Sequence, residues 1–129
     1  MQNTDLGSPP EGGQPSVVAL AGDLMFAGRI RGTAQAGGRA VTLARRPEDV
    51  ASAVRSGAQR VLLDLDARAV DMPGLIRGLR GDPATRHAEI IAFVSHVRTD
   101  AISAAREAGA DRVLARSAFV KELPDLLSR

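Results

Sequence analysis

Apolar residues in this chain fall into short unbroken runs, and between the runs they recur at helical spacing. Residues 17–21 read Val-Val-Ala-Leu-Ala, and 40–44 read Ala-Val-Thr-Leu-Ala. Val61-Leu62-Leu63 runs from Arg60 into Asp64, 89–94 read Glu-Ile-Ile-Ala-Phe-Val, and 111–115 read Asp-Arg-Val-Leu-Ala. Runs this short without alternation predict strands buried on both faces of a parallel sheet. The segments between them predict helices. Leu24 to about Ala36 places Phe26, Ala27, Ile30 and Ala34 on one side, after an N-cap at Asp23 and before a stop at Gly37-Gly38. Arg46-Pro47-Glu48-Asp49 opens a second helix that Gly57 ends, proline needing no amide partner in the first turn and acids suiting the helix dipole there. Met72-Pro73 opens a third, with Leu75, Ile76 and Leu79 inward, and Asp82-Pro83 breaks it. A fourth starts from a cap at Thr99 or Asp100, buries Ile102, Ala105 and Ala108, and stops at Gly109. The last runs from Phe119 to Leu127, and Pro124 makes it either short or placed with that proline in its first turn.

Five strands alternating with five helices predict an α/β three-layer fold, a parallel sheet with helices on both faces. The third and fourth strands are the most apolar and belong in the middle. The second and fifth are more polar and belong at the edges. The flavodoxin-like order 2-1-3-4-5 satisfies that ranking. One domain accounts for residues 16–129, after a flexible tail at 1–15 (MQNTDLGSPPEGGQP) rich in proline and glycine.

In open α/β sheets, ligands bind beyond the carboxyl ends of the strands, so Asp64 sits where such folds do their chemistry. A polar residue there also follows simply from the chain leaving the core, and on this stretch alone that plainer reading is the stronger.

Composition narrows the function classes. There is no cysteine, hence no disulfide, thiolate metal site or thiol nucleophile. No apolar run reaches the length of a membrane span, and the N-terminus lacks a signal-peptide pattern, so a cytoplasmic protein is expected. The pI of about 10.3 overstates the basicity. Net charge is only +2, and 16 of the 17 basic residues are arginines that hardly titrate. Neither that charge nor the three phenylalanines, in a chain without Tyr or Trp, supports a nucleic-acid surface. His96 beside Ser95 is not a catalytic dyad, because adjacent side chains diverge, and His87 lies in a polar turn. No phosphate-loop pattern follows the first strand. Arg29, Arg31, Arg45, Arg46, Arg55 and Arg60 read as solvated surface, or as a patch for an acidic partner protein.

With these elements placed, the chain resembles a bacterial response-regulator receiver domain over about residues 16–127. The resemblance rests on the five repeats, on Val61-Leu62-Leu63-Asp64-Leu65, on Leu79-Arg80-Gly81-Asp82-Pro83-Ala84-Thr85-Arg86 and on Ala108-Gly109-Ala110-Asp111. It implies that Asp64 is the equivalent of the phospho-acceptor, Ser95 of the switch hydroxyl, and Arg116 of the lysine that ends the fifth strand. The acidic pair that holds magnesium in that family falls on Ala21 and Gly22, which bind no cation. Asp23 and Asp66 are what remains of an acidic site, Ser117 replaces the usual proline, and Met72-Pro73 comes late after the acceptor. Magnesium wants several hard oxygen ligands in an octahedron, so binding is expected to be weak or absent, with no other cofactor. An Arg116–Asp64 ion pair would stand in for the metal.

The chain therefore reads as a degenerate receiver, a pseudo-receiver. It would be no enzyme and would act in signal transduction through a protein partner, a histidine kinase or another signalling protein. The resemblance adds a homodimer through the face of helix 4, strand 5 and helix 5, with Val113, Phe119 and Val120 supplying either that contact or the core. Nucleic acid and membrane are not expected as partners. Two alternatives stand beside it. One is a working phospho-acceptor, with Asp64 phosphorylated by a histidine kinase. The other is a small-ligand module at the strand-end cleft. No output domain is fused within these 129 residues, so a stand-alone module or a piece of a longer protein is expected.

Overall fold

The computed structural model describes residues 16–95 and 98–128; the predicted tail at 1–15 and His96 lie outside the described residues. In chain order the elements are β1 (Val17–Leu20), α1 (Leu24–Ala36), β2 (Thr42–Leu43), α2 (Pro47–Arg55) and β3 (Arg60–Asp64). There follow α3 (Met72–Gly81), β4 (Glu89–Val94), α4 (Thr99–Ala108), β5 (Arg112–Ala115) and α5 (Arg116–Leu127). The sheet has five strands in the order β2-β1-β3-β4-β5, and every neighbouring pair is parallel. The two most apolar strands, β3 and β4, are interior, as their composition predicts.

Side chains alternate across the strands and so build two cores. Val18, Leu20, Val61, Leu63, Ile90 and Ala92 pack with residues of α2, α3 and α4. Val17, Ala19, Leu62, Ile91 and Phe93 pack on the other face with Phe26 and Ile30 of α1 and Phe119 and Leu123 of α5. Helices α1 and α5 thus share one side of the sheet.

Four local expectations are corrected. First, β2 is only Thr42–Leu43, paired with Val18 and Ala19, because it has a neighbour on one side only and Ala40 is exposed. Second, neither Thr99 nor Asp100 caps α4; Arg98 holds the cap position and makes no side-chain cap bond. Third, α5 starts directly at Arg116 and passes through Pro124, which is neither in the first turn nor at the end of a short helix. The proline removes one intrahelical bond, but Phe119, Leu123, Leu126 and Leu127 are buried on both sides of it, and burying that apolar face outweighs the propensity. Fourth, Arg60 is not a solvated surface arginine. Its Nε donates to Glu89 Oε1 at 2.8 Å and its Nη1 to the Leu126 carbonyl at 2.7 Å. It joins the first residues of two strands to the end of α5.

Candidate functional site

The apolar run of β3 ends in a carboxylate that has nowhere to go but the sheet interior. Asp64 pairs in register with Phe93 and is 0% exposed. An ionised group that deep must be fully partnered. Its Oδ2 accepts the Gly22 N–H at 2.8 Å and its Oδ1 the Asp66 N–H at 2.9 Å. Arg116 Nη2 lies 3.3 Å from Oδ2. Gly22 makes this approach feasible. A Cβ there would stand 3.0 Å from Asp64 Oδ2 and 3.1 Å from Ala67 Cα, so any other residue would displace the carboxylate or the loop.

Arg116 is the first residue of α5, and its guanidinium lies on an aromatic bed. Its Cζ is 4.2 Å from the centroid of the Phe26 ring and 5.9 Å from that of Phe93. Phe93 stacks on Phe119 with centroids 4.0 Å apart, and Phe26 leans on both. All three phenylalanines of the chain therefore meet beneath one cation. A guanidinium over ring faces gains cation–π attraction without giving up its N–H fork. Arg116 Nε, buried, has no hydrogen-bond partner among the described residues, so Arg116 is held by Nη2 and by the rings.

Asp66 forms a second layer toward the surface. Its Oδ2 accepts the Ser95 N–H at 2.8 Å and its Oδ1 lies 3.2 Å from Arg98 Nη1; Arg116 Nη2 is 3.9 Å from Oδ2. Burial acts to raise the Asp66 carboxyl, but Ser95, through side chain and amide, and the Arg98 and Arg116 guanidiniums together hold it below its ordinary value of 3.8. A depressed folded value means that the unfolded chain takes the proton first. The stability from these contacts is complete above the unfolded value and is lost as pH falls through the folded one. Urea unfolding at descending pH is therefore expected to show a smaller acid loss for Asp66→Asn than for wild type below about pH 4. Parallel curves for the two proteins would contradict the assignment.

The structure brings together Asp64, Asp66, Ser95 and Arg116. It does not bring in Asp23, whose Oδ1 accepts the Phe26 N–H at 2.7 Å and caps α1. His87 is exposed on its turn. Among the described residues, no three His, Asp or Glu side chains converge on one point. The sequence reading missed Gly22 as a donor, Arg98 and the phenylalanine bed. Only the scarcity of aromatic residues hinted at the last.

No protein-family model matches the chain, and no curated protein matches it in sequence. Solved structures do match in fold. The signal receiver domain of a response regulator from Bermanella marisrubri aligns with a TM-score of 0.73 at 20% identity, over 89% of this chain and 99% of that one. The receiver domain of the putative response regulator NarL from Mycobacterium tuberculosis gives 0.71 at 15% identity, over 87% and 91%. A Burkholderia pseudomallei response regulator solved with a phosphorylated aspartic acid, a calcium ion and citrate gives 0.70 at 20% identity, over 87% and 65%.

Proposed function

We propose that this chain, which has the fold of response-regulator receiver domains, is an atypical receiver that signals through protein–protein contacts with its acceptor pocket closed by Arg116. The observation that carries the reading is the state of Asp64: no exposure, an amide on each oxygen, and a guanidinium 3.3 Å from Oδ2. A carboxylate without solvent exposure and already paired with a guanidinium is a poor nucleophile, since a phosphodonor has no access to it and its charge is shared with Arg116. The magnesium that the resemblance implies does not fit this donor set. Ala21 and Gly22 stand at the acidic-pair positions, Gly22 N–H already occupies Asp64 Oδ2, and Arg116 supplies the positive charge. Phosphoryl transfer relies on positioning and on neutralising charge. Arg116 neutralises Asp64 itself rather than an incoming phosphoryl group.

The protein partner remains a kinase or another signalling protein, and the α4–β5–α5 face is the surface we assign to a second copy. Val113, Leu114 and Val120 are half-buried there, packed against the two cores with their remaining surface flanked by the Arg112–Glu122 pair at 3.0 Å. Phe119 is not part of that surface, since it is buried beneath α5. No helix among the described residues is long and apolar enough to cross a membrane.

A phospho-acceptor is the second reading, favoured by Asp64 standing at the carboxyl end of a central strand. Intact mass after incubation with acetyl phosphate and magnesium separates the two. Unchanged mass is expected, in a protein shown to melt cooperatively. A labile gain of one phosphate that Asp64→Asn abolishes would overturn the closed-pocket reading and establish the second.

A further inference from the structure

On the far side of α1 from Arg116 lies a cleft of ≈ 490 Å³ that shares only Gly22 with the Asp64 cluster. That volume falls in the range of about 300–1,000 Å³ usual for small-molecule sites. Ala19 of β1 contributes to the floor. One wall is the face of α1 that carries Ala27, Gly28 and Arg31, at the three- and four-residue spacing that puts side chains in one row. The opposite wall is Leu43 with Arg45, where β2 leaves the sheet.

Two independent features give the cleft a ligand chemistry. The first is charge. Residues 24–46 contain five arginines and no carboxylate. The ion pairs among the described residues include neither Arg31 nor Arg45. Asp23 at the mouth is the sole acid in the lining, and its Oδ1 is committed to the Phe26 N–H. The second is space. A Cβ on Gly28 would meet nothing within 4 Å, so no neighbour in the chain requires glycine there. Glycine weakens a helix relative to alanine, and here it leaves the backbone of the cleft wall uncovered. No aromatic side chain lines the cleft, so it offers no stacking surface for a nucleobase.

We propose that this cleft binds a small aliphatic anion, a carboxylate or phosphate ester whose acid group is held by the Arg31 and Arg45 guanidiniums and whose body lies on the small apolar floor. Guanidiniums fork onto either acid with paired hydrogen bonds. The site does not depend on whether Asp64 accepts phosphate. The two are adjacent all the same: Gly22 borders the cleft while its N–H holds Asp64 Oδ2.

The test is an amide NMR titration of the full chain without magnesium, at fixed ionic strength, with glycerol 3-phosphate in one arm and succinate in the other. Saturable shifts at Gly22, Gly28 and residues 43–45 are expected in at least one arm, and the arm that saturates names the acid. Arg31→Gln with Arg45→Gln should weaken that binding about tenfold or more, whereas Arg29→Gln, on the other side of α1, should not. Gly28→Ala should raise the melting temperature and weaken binding. Gly32→Ala, outside the lining and equally free of neighbours, should raise the melting temperature alone. No saturation in either arm would overturn the proposal, as would undiminished binding by the Arg31/Arg45 variant or shifts centred on Arg29 and Arg116.

Discussion

Asp64→Ala is expected to destabilise the protein by ~2–4 kcal/mol at neutral pH, read from urea unfolding with an unchanged m-value. The substitution removes the acceptor for the Gly22 and Asp66 amides in a pocket without solvent access, and it leaves the guanidinium of Arg116 beside a cavity. The sign is the informative part. A cluster of several carboxylates awaiting a cation repels itself, and truncating one member relieves strain. Here the one fully buried carboxylate is matched by a guanidinium and two amides, so truncation leaves the Gly22 and Asp66 amides unpaired and Arg116 with only the longer 3.9 Å contact to Asp66. A variant more stable than wild type would mean that the pocket stores repulsion and that Arg116 does not hold Asp64. Arg116→Ala should cost a comparable ~2–4 kcal/mol, because it leaves the fully buried Asp64 with two amides and no counter-charge. In a double-mutant cycle the second substitution should cost much less once the first is made.

Arg80→Met is expected to be of similar size, ~2–4 kcal/mol, although it lies at the opposite end of the sheet from Asp64. Methionine keeps most of the apolar stem and deletes the guanidinium. That guanidinium donates to the carbonyls of Gly109 at 2.9 Å, Arg86 at 2.7 Å and Ala88 at 2.7 Å, and to Asp111 Oδ2 at 2.6 Å. Asp111 Oδ2 also accepts the Ile90 N–H at 2.8 Å. One side chain thus ties the end of α3 to the turn before β4 and the turn before β5. Gly109 belongs to the same arrangement: its φ is +122°, and a Cβ there would stand 2.7 Å from Arg80 Cγ. A loss under about 1 kcal/mol would show that water replaces these bonds.

The two sequence patterns that carried the resemblance, around Arg80 to Arg86 and around Gly109 to Asp111, therefore touch each other through Arg80. The predicted strand order already made β4 and β5 neighbours; what the sequence did not reveal is that one side chain, Arg80, spans the turns before both. The strands were legible because burial on both faces leaves unbroken apolar runs, and the edge positions followed from the weaker runs. Pro124 misled because a propensity of single residues was weighed without the apolar residues packed around it. Arg60 misled for a related reason: its partner, Glu89, is fixed by strand register. At the site, Asp64 and Arg116 could be paired only through the resemblance. The phenylalanine bed needed the knowledge that α1 and α5 cover the same side of the sheet.

The joint between β5 and α5 has no loop: Ala115 ends the strand and Arg116 begins the helix. Arg116 is itself the first helical residue, so its backbone moves with α5 and not with a connecting loop. The side chain that seals Asp64 is thus rigidly geared to the helix. Under the proposed closed-pocket reading, a protein that levered α5 outward would withdraw Arg116 in the same stroke and one that clamped α5 would keep the seal shut, which would make the outer face of this helix the handle of its inner lock.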